Sequence, residues 1–262
     1  MAQHLRIANP EAIPRQLEDW ADTETALDIR RSLDLVRVAD RPSMTMIAGA
    51  PGTGKTSAVQ RFCEAQGDKA LYIAAARGEG TAWNFAHALA NLWGYSKPTF
   101  NCHAEAREKI AQSIGNTRVL VVDEAQYLHQ RNRKTGQTGE AFEWLRATAE
   151  TGGFDLVLCG DLSLPRAIAD MPQLQSRLLR PVVVRQVSRA DVAAVVEATA
   201  FCDPRSIDAL HAIAKLPGGL RNVQNVTRLA LLFAGTETPR PDHLKAAILD
   251  MKLDLKGAAY DR

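Results

Sequence analysis

Met44–Thr56 reads M-T-M-I-A-G-A-P-G-T-G-K-T, a short apolar run followed at once by a glycine-rich turn. The apolar residues Met44–Ala48 predict a buried strand, and the segment that starts at Lys55 predicts a helix. Gly49–Thr56 matches G-x-x-x-x-G-K-[ST], a pattern in which glycines turn backbone N–H groups toward a phosphate at a helix N-terminus. The stretch therefore predicts a nucleoside-triphosphate site, with Lys55 reaching the β- and γ-phosphates.

This motif defines the candidate nucleotide-binding residues. They are Gly49, Ala50, Pro51, Gly52, Thr53, Gly54, Lys55, Thr56 and Ser57. The hydroxyl of Thr56 is expected to ligate Mg²⁺. The alternative is a glycine-rich turn between a strand and a helix that ends in Lys-Thr by chance.

A second apolar run, Val119–Val122, delivers Asp123 and Glu124 at its C-terminal end. Ligands of α/β proteins bind at the carboxyl ends of the strands, so these acids are expected beside the phosphate loop. Asp123 is expected to share the Mg²⁺ ion with Thr56, and Glu124 to orient and deprotonate the attacking water. The predicted chemistry is hydrolysis of ATP with Mg²⁺; the alternative is a strand end followed by two solvated acids.

Short apolar strands alternate with helices up to about Gln186, which predicts an α/β core with a parallel sheet covered by helices on both faces. After Ser188 the pattern predicts helices only. The expected organisation is an N-terminal helical segment (1–40), an α/β ATPase core (41–187) and a small all-helical lid (188–262).

The composition is that of an ordinary globular protein. Apolar residues make up 46% of the 262 residues and charged residues 24%, which excludes a disordered, collagen-like or coiled-coil chain. No apolar run approaches the ~18 residues that suggest a membrane span, and no secretory signal is visible. No membrane partner is therefore expected. The four cysteines are scattered without a C-x-x-C pair, which indicates free thiols and a cytoplasmic protein.

The net charge of +2 is small, but charge is unevenly distributed. Residues 1–28 hold six acids against two arginines, a local charge of −4. Basic residues without an intervening acid concentrate between Pro172 and Ala190 and in the segment around His129–Gly139. Basic character is therefore local.

Several further motifs occur in a fixed order along the chain. After the phosphate loop come D-E-A-Q-Y-L at Asp123–Leu128, L-V-L-C-G-D at Leu156–Asp161, Q-S-R-L-L-R at Gln175–Arg180, P-G-G-L-R-N at Pro217–Asn222 and a terminal L-D-M-K-L-D-L. With this set the sequence resembles AAA+ ATPases. More narrowly, it resembles the target-DNA-binding ATPases of transposition, the phage Mu B protein and its TniB- and TnsC-type relatives, over about residues 20 to 257.

The resemblance implies roles for four residues. Asp161 stands at the sensor-1 position, where an amide or hydroxyl is usual, so an ordinary loop acid is the alternative. Arg177 resembles the arginine finger that reaches a neighbouring subunit's ATP; Arg180 is the competing candidate, and a solvated face is the alternative for both. Arg221 matches the sensor-2 arginine of the lid.

The resemblance also implies binding to double-stranded DNA. The loop His129–Gly139 is long, basic and acid-free, and its Arg131, Arg133 and Lys134 suit contact with the phosphate backbone, with a salt slope of ~3 if all engage. Arg77 and Thr81, after the second strand, form a second candidate. The alternative is a flexible surface loop.

The resulting hypothesis is an ATP-dependent, largely sequence-independent DNA-binding ATPase. It would form a helical homo-oligomer on target DNA and activate a DDE-type transposase, and hydrolysis would disassemble the oligomer. A helicase-loader or ExeA-like ATPase that remodels a protein complex is the second hypothesis. A module that holds ATP and barely hydrolyses it is the third, because Asp161 departs from the usual sensor-1 residue.

Overall fold

Within the described part of the chain, five parallel strands form one sheet in the order β2-β3-β4-β1-β5. The structure is a computed structural model that describes residues 21–94, 100–132 and 136–253. The strands are β1 (Met44–Gly49), β2 (Ala70–Ala74), β3 (Val119–Asp123), β4 (Asp155–Gly160) and β5 (Val182–Val184). The three central strands, β3, β4 and β1, are buried along their whole length, as continuous apolar runs require. The predicted α/β fold is confirmed.

Contacts divide the chain into two units. The α/β unit comprises Asp28–Gly49 and Lys55–Arg185, and the described residues of the helical unit are 21–27, Ala50–Gly54 and 186–253. No helix in these described ranges is long and apolar enough to cross a bilayer.

The helices follow in chain order. Those up to β5 are α1 (Glu24–Val38), α2 (Lys55–Gln66), α3 (Ala82–Asn91), α4 (His103–Ile114), α5 (Glu140–Gly152), α6 (Leu164–Ala169) and α7 (Pro172–Gln175). Those after β5 are α8 (Arg189–Val196), α9 (Pro204–Ala214), α10 (Leu220–Ala234) and α11 (Pro241–Asp250). Helix α1 begins in residues of the helical unit and continues into the α/β unit.

Apolar side chains of α3, α4 and α5 cover the sheet of the α/β unit. Phe85, Ile114 and Phe142 are at most 1% exposed and belong to one core with the strand residues Leu120 and Leu156. Because burial of such side chains stabilises a fold by about 2 kcal/mol each, this core holds the strand ends in place.

A buried carboxylate joins α1 to the amino end of the sheet. Asp155, the first residue of β4, has a fully buried side chain that accepts hydrogen bonds from Arg37 Nη1 at 2.9 Å and from the Ser43 N–H at 3.2 Å. Arg41 Nε lies 3.3 Å from the same carboxylate. Two guanidinium groups thus compensate one buried charge. This cluster lies at the amino ends of the strands, whereas the predicted site lies at their carboxyl ends.

A second buried carboxylate organises the helical unit. Asp191, in the first turn of α8, is 1% exposed and forms a capping box with Ser188. The same carboxylate accepts hydrogen bonds from the Thr25 N–H at 3.0 Å and the Thr25 hydroxyl at 2.7 Å. One side chain therefore satisfies donors at the N-termini of both α1 and α8.

Replacing this carboxylate is expected to destabilise the chain. Asp191→Ala leaves partly buried N–H and O–H donors of Thr25 without this acceptor, and we expect the free energy of unfolding to fall by about 2 kcal/mol. Asp208→Ala is the matched control, because Asp208 is 64% exposed and forms a surface ion pair with Arg189; its expected cost is below about 1 kcal/mol. Urea unfolding of both variants gives the comparison. An Asp191→Ala cost no larger than that of Asp208→Ala would contradict the assignment.

Candidate nucleotide-binding site

The glycine-rich loop has the backbone that its sequence predicts. Gly52 and Gly54 adopt φ angles of +77° and +88°, which L side chains rarely tolerate. The Thr53 hydroxyl donates to the Ala50 carbonyl at 2.9 Å, and α2 begins at Lys55, directly after the loop. A loop with glycines in this conformation before a helix N-terminus is suited to bind a phosphate.

The loop is packed against the start of α10. The Leu220 N–H donates to the Gly52 carbonyl at 2.8 Å, so the helix N-terminus uses a loop oxygen as its cap. A Cβ on Gly52 would lie 1.9 Å from the Gly218 carbonyl oxygen, and a Cβ on Gly219 would lie 2.6 Å from the Gly52 oxygen. The absence of a Cβ at Gly52 and at Gly219 therefore allows the two backbone segments to touch. The contact brings Arg221, which is exposed in the first turn of α10, next to residues of the phosphate loop.

Asp123 and Glu124 follow β3 but differ in environment. Asp123 is 2% exposed; it accepts hydrogen bonds from the Tyr72 hydroxyl and the Glu124 N–H, both at 2.9 Å. Glu124 is exposed and adopts the left-handed conformation at φ 52° and ψ 31°. Burial and the neighbouring Asp123 carboxylate raise the pKa of Tyr72. Tyr72 therefore stays protonated at neutral pH and keeps donating to Asp123.

Gln126 connects Glu124 to the chain after β4. Its Nε2 donates to Glu124 Oε2 at 2.5 Å, and its Oε1 accepts the Asp161 N–H at 3.1 Å. The Asp161 carboxylate accepts hydrogen bonds from the Ser163 N–H at 2.8 Å and from its hydroxyl at 2.5 Å. This local turn supports the loop-acid interpretation of Asp161. Sequence reasoning quoted Gln126 within D-E-A-Q-Y-L but assigned it no role.

Cys159 lies on β4, the strand between β1 and β3. It is fully buried and pairs in register with Ile47. Burial first, and then the Asp123 carboxylate, raises the pKa of its thiol well above the usual value. Cys159 therefore stays a neutral thiol and is not a reactive nucleophile. Its role is to pack in the strand between β1, which leads to the phosphate loop, and β3, which leads to Asp123.

The predicted phosphate and metal ligands fit a nucleotide with its metal ion. Thr56 and Ser57 are exposed in the first turn of α2, and Lys55 is half-buried. In the residues that the structure describes, no three His, Cys, Asp or Glu side chains form a cage for a metal ion. Mg²⁺ typically binds through one or two protein oxygens together with phosphates, which is what Thr56 and Asp123 offer.

The two candidates for the arginine finger each have a partner within the α/β unit. Arg177, which follows α7 and is 45% exposed, donates from Nε to Glu150 Oε1. Arg180 is 31% exposed and donates to the Asp28 carboxylate at 2.6 Å and to the Asp28 carbonyl at 3.1 Å. Arg180 therefore has the stronger attachment.

Glu150 also accepts a hydrogen bond from Arg146 Nη1 at 2.7 Å. Partial burial would raise the pKa of Glu150, but the hydrogen bonds from Arg177 and Arg146 outweigh it, and the pKa lies below its usual value. Glu150 is therefore ionised at neutral pH and holds both arginines.

The structure brings together the two segments predicted to contact DNA. A Cβ on Gly80 would lie 2.3 Å from Gln130 Cβ and 2.7 Å from the Tyr127 carbonyl oxygen, so residues 76–81 pack directly against the start of the basic loop. Arg77 is exposed, whereas Thr81 caps α3 by accepting the Asn84 N–H at 3.2 Å.

The described residues on the two sides of the basic loop, 129–132 and 136–139, contact each other. Arg131 and Thr138 form an antiparallel bridge, and Arg131 Nε donates to the Gly136 carbonyl at 3.2 Å. The Asn132 N–H donates to the Gln137 carbonyl at 2.7 Å. The other two predicted cations, Arg133 and Lys134, lie outside the described residues.

The close contact at Gly52 gives a direct test of the loop packing. Gly52→Ala introduces a Cβ where the Gly218 oxygen lies, in addition to the strain of a positive φ, which alone costs roughly 1–2 kcal/mol. Gly67→Ala is the matched control, because Gly67 also has a positive φ (+55°) but a Cβ there meets no atom within 4 Å. We expect Gly52→Ala to lose more stability than Gly67→Ala in urea unfolding and to lose nucleotide binding in a fluorescence titration. Equal losses in stability and retained binding by both variants would contradict this packing.

Comparisons with known proteins agree with this architecture. A family model described as an AAA domain matches residues 38–168, half of the chain. A second model, described as the C terminus of the Mu B transposition protein, matches residues 176–251. No curated protein sequence matches the chain.

Similar solved structures include the Aeropyrum pernix ORC1 protein in complex with DNA, at 21% identity and a TM-score of 0.63, over 92% of this chain and 68% of that one. Domain III of the Thermotoga maritima replication initiation protein DnaA matches at 18% identity and a TM-score of 0.55, over 95% and 99%. Drosophila ORC bound to DNA matches at 16% identity and a TM-score of 0.57, over 96% and 70%. At these identities the likeness shows the fold alone. The chain belongs to the AAA domain family, and the Mu B match that follows this domain confirms the resemblance to Mu B-like AAA+ ATPases.

Proposed function

We propose that this chain is an ATP-dependent, largely sequence-independent DNA-binding ATPase that oligomerises on target DNA and activates a DDE-type transposase in the cytoplasm. The observation that carries the proposal is the Mu B C-terminal match over residues 176–251, directly after the AAA domain match. An AAA domain alone suits many ATPases, and the second match supports a role in transposition rather than another ATPase function.

ATP and Mg²⁺ are the proposed ligands of the glycine-rich loop. In this proposal Lys55 contacts the β- and γ-phosphates, Thr56 and Asp123 hold Mg²⁺, and Glu124 accepts a proton from the attacking water. Its exposure supports this role, since a general base must reach water. Arg221 is proposed to contact the γ-phosphate, and its place beside the phosphate loop supports that role.

Duplex DNA is the proposed partner of the surface formed by the described residues 76–81, 129–132 and 136–139. The packing of Gly80 against Gln130 supports a joint surface, because it sets Arg77 and Arg131 on neighbouring segments. Both segments follow the carboxyl ends of strands, β2 and β3, that lie side by side in the sheet. A change at the nucleotide site therefore has a short path to the proposed DNA surface.

A helical homo-oligomer is proposed because a finger acts on the ATP of another subunit. Arg177 is the better of the two candidates, since it is more exposed than Arg180 and has one carboxylate partner rather than two acceptors on α1. Its release from Glu150 would leave that carboxylate paired with Arg146.

DNA dependence tests the proposed partner. We expect duplex DNA of random sequence to stimulate ATP turnover and to produce ATP-dependent filaments that weaken between ~50 and ~200 mM salt. The double variant Arg77→Ala/Arg131→Ala should bind DNA more weakly, with a salt slope reduced by about 2. Arg205→Ala, an exposed arginine of α9, is the control for loss of charge.

These measurements also separate the alternatives. Turnover in small closed oligomers that ignore DNA would contradict the proposal and favour a protein-remodelling ATPase of the helicase-loader or ExeA-like kind. Tight ATP binding with almost no turnover, with or without DNA, would favour a binding module. Addition of the cognate transposase, once identified, tests its activation in the same assay.

Mixed oligomers test the finger and the general base together. Glu124→Gln is expected to keep ATP and DNA binding and to lose turnover, because an amide cannot take the proton from water. Arg177→Ala is expected to lower kcat roughly 10³-fold in the oligomer, because charge on the transferred phosphoryl group loses its partner. Mixing the two variants should restore turnover at interfaces where a Glu124→Gln subunit supplies Arg177 to an Arg177→Ala subunit.

The control mixes Arg180→Ala with Glu124→Gln. Restoration of turnover only in that mixture would identify Arg180 as the finger. Equal loss of ATP binding, DNA binding and turnover in Glu124→Gln would show that Glu124 has a structural role instead.

A further inference from the structure

Both polar atoms of the Gln126 side-chain amide form hydrogen bonds. Gln126 lies in the short 3₁₀ turn Ala125–Leu128, directly after β3, and its amide bridges Glu124 Oε2 and the Asp161 N–H at 2.5 and 3.1 Å. Asp161 directly follows β4, the neighbour of β3 in the sheet. One amide group therefore connects the carboxyl ends of two adjacent strands to the predicted general base.

Gly160 makes room for this bridge. A Cβ at position 160 would lie 2.5 Å from Gln126 Oε1, 3.0 Å from Leu164 Cδ2 and 3.4 Å from the backbone nitrogen of Gln126. Gly160 does not have a positive φ, so its backbone does not require glycine. The Gln126 amide oxygen is the nearest atom to that Cβ and Leu164 is the next, so the packing of these two side chains explains the glycine.

Glu124 needs a partner to hold its carboxylate in one place. Its side chain is exposed, and its backbone is left-handed, a conformation that non-glycine residues adopt rarely. The hydrogen bond from Gln126 uses Oε2 and leaves Oε1 to accept another hydrogen bond. Proton transfer from water requires an acceptor at a defined position, and displacement by about 1 Å can cost 10²-fold in rate.

We propose that Gln126 is a positioning residue for ATP hydrolysis, which orients the Glu124 carboxylate by tying it to the Asp161 N–H. The inference rests on the proposed hydrolysis at Glu124 and adds the group that controls it. It also predicts a route of regulation: a shift of the chain after β4 moves the Gln126 amide, and with it the oxygen of Glu124 that faces water.

The test compares kcat with ATP affinity. Gln126→Met keeps the length of the side chain but removes both hydrogen bonds, and we expect kcat to fall about 10²-fold while the Kd for ATP changes by less than about twofold. Gly160→Ala should produce the same separation of kcat from Kd, because its Cβ displaces the Gln126 amide. The double variant should be no slower than the slower single variant, since both changes remove one interaction. Gln112→Met, at an exposed position on α4, is the control for the Gln-to-Met change.

Wild-type protein and Glu124→Gln are measured beside these variants so that the two proposals are separated. Normal kcat in Gln126→Met, with turnover abolished in Glu124→Gln, would overturn the role of Gln126 and leave the proposed hydrolysis standing. Loss of ATP affinity in parallel with kcat would also overturn it, because Gln126 would then only support the fold of the site. No turnover in the wild-type chain with DNA present would overturn both proposals.

Discussion

The candidate chemistry depends on the common direction of β1, β3 and β4. Because these strands are parallel and adjacent, with β4 in the middle, their carboxyl ends meet at one edge and place Gly49, Asp123 and Gly160 in neighbouring positions. The register Ile47↔Cys159 and Val122↔Leu158 maintains that alignment. All three strands are buried on both faces, so a slip of one residue would disturb the packing of every side chain in the strand.

A second constraint is backbone contact at glycines. At Gly52 and Gly219 two backbone segments approach so closely that no Cβ fits between them. The Leu220 N–H donates to the Gly52 carbonyl of the phosphate loop. The contact explains Gly219 in P-G-G-L-R-N: a Cβ at that position would meet the Gly52 backbone, and Arg221 follows in the first turn of α10. Contact between backbone atoms does not depend on side-chain rotamers, so the loop and the first turn of α10 are held together by backbone packing and a hydrogen bond.

Much of the fold follows from local patterns, whereas the connections between distant residues do not. The run V-L-V-V-D predicts β3, and M-T-M-I-A-G predicts β1, because continuous apolar residues bounded by glycine or acid mark buried parallel strands. No periodic pattern predicts the helices α6 and α7, because six and four residues are too few to show one.

Partners far apart in sequence also escape such reasoning. The Glu150 carboxylate that binds Arg177 lies 27 residues away, and nothing local marks the pair. The motif D-E-A-Q-Y-L contains Gln126 but does not indicate its role. Its hydrogen bond with the Asp161 N–H spans 35 residues and depends on the alignment of β3 with β4. No local pattern indicates this role, because the space that Gly160 leaves for the Gln126 amide exists only in the folded chain.

The ion pair of Arg177 has a bearing on the proposed assembly. Arg177 and Glu150 are 45% and 32% exposed, so their attraction is screened by water and is worth at most about 1 kcal/mol. Arg146 is only 13% exposed and hydrogen-bonds to both Glu143 and Glu150. In its proposed role as the finger, Arg177 would leave Glu150 hydrogen-bonded to Arg146. Its release would cost little, because the Arg177–Glu150 pair is exposed. Release of Arg180 would break two contacts with Asp28 on α1.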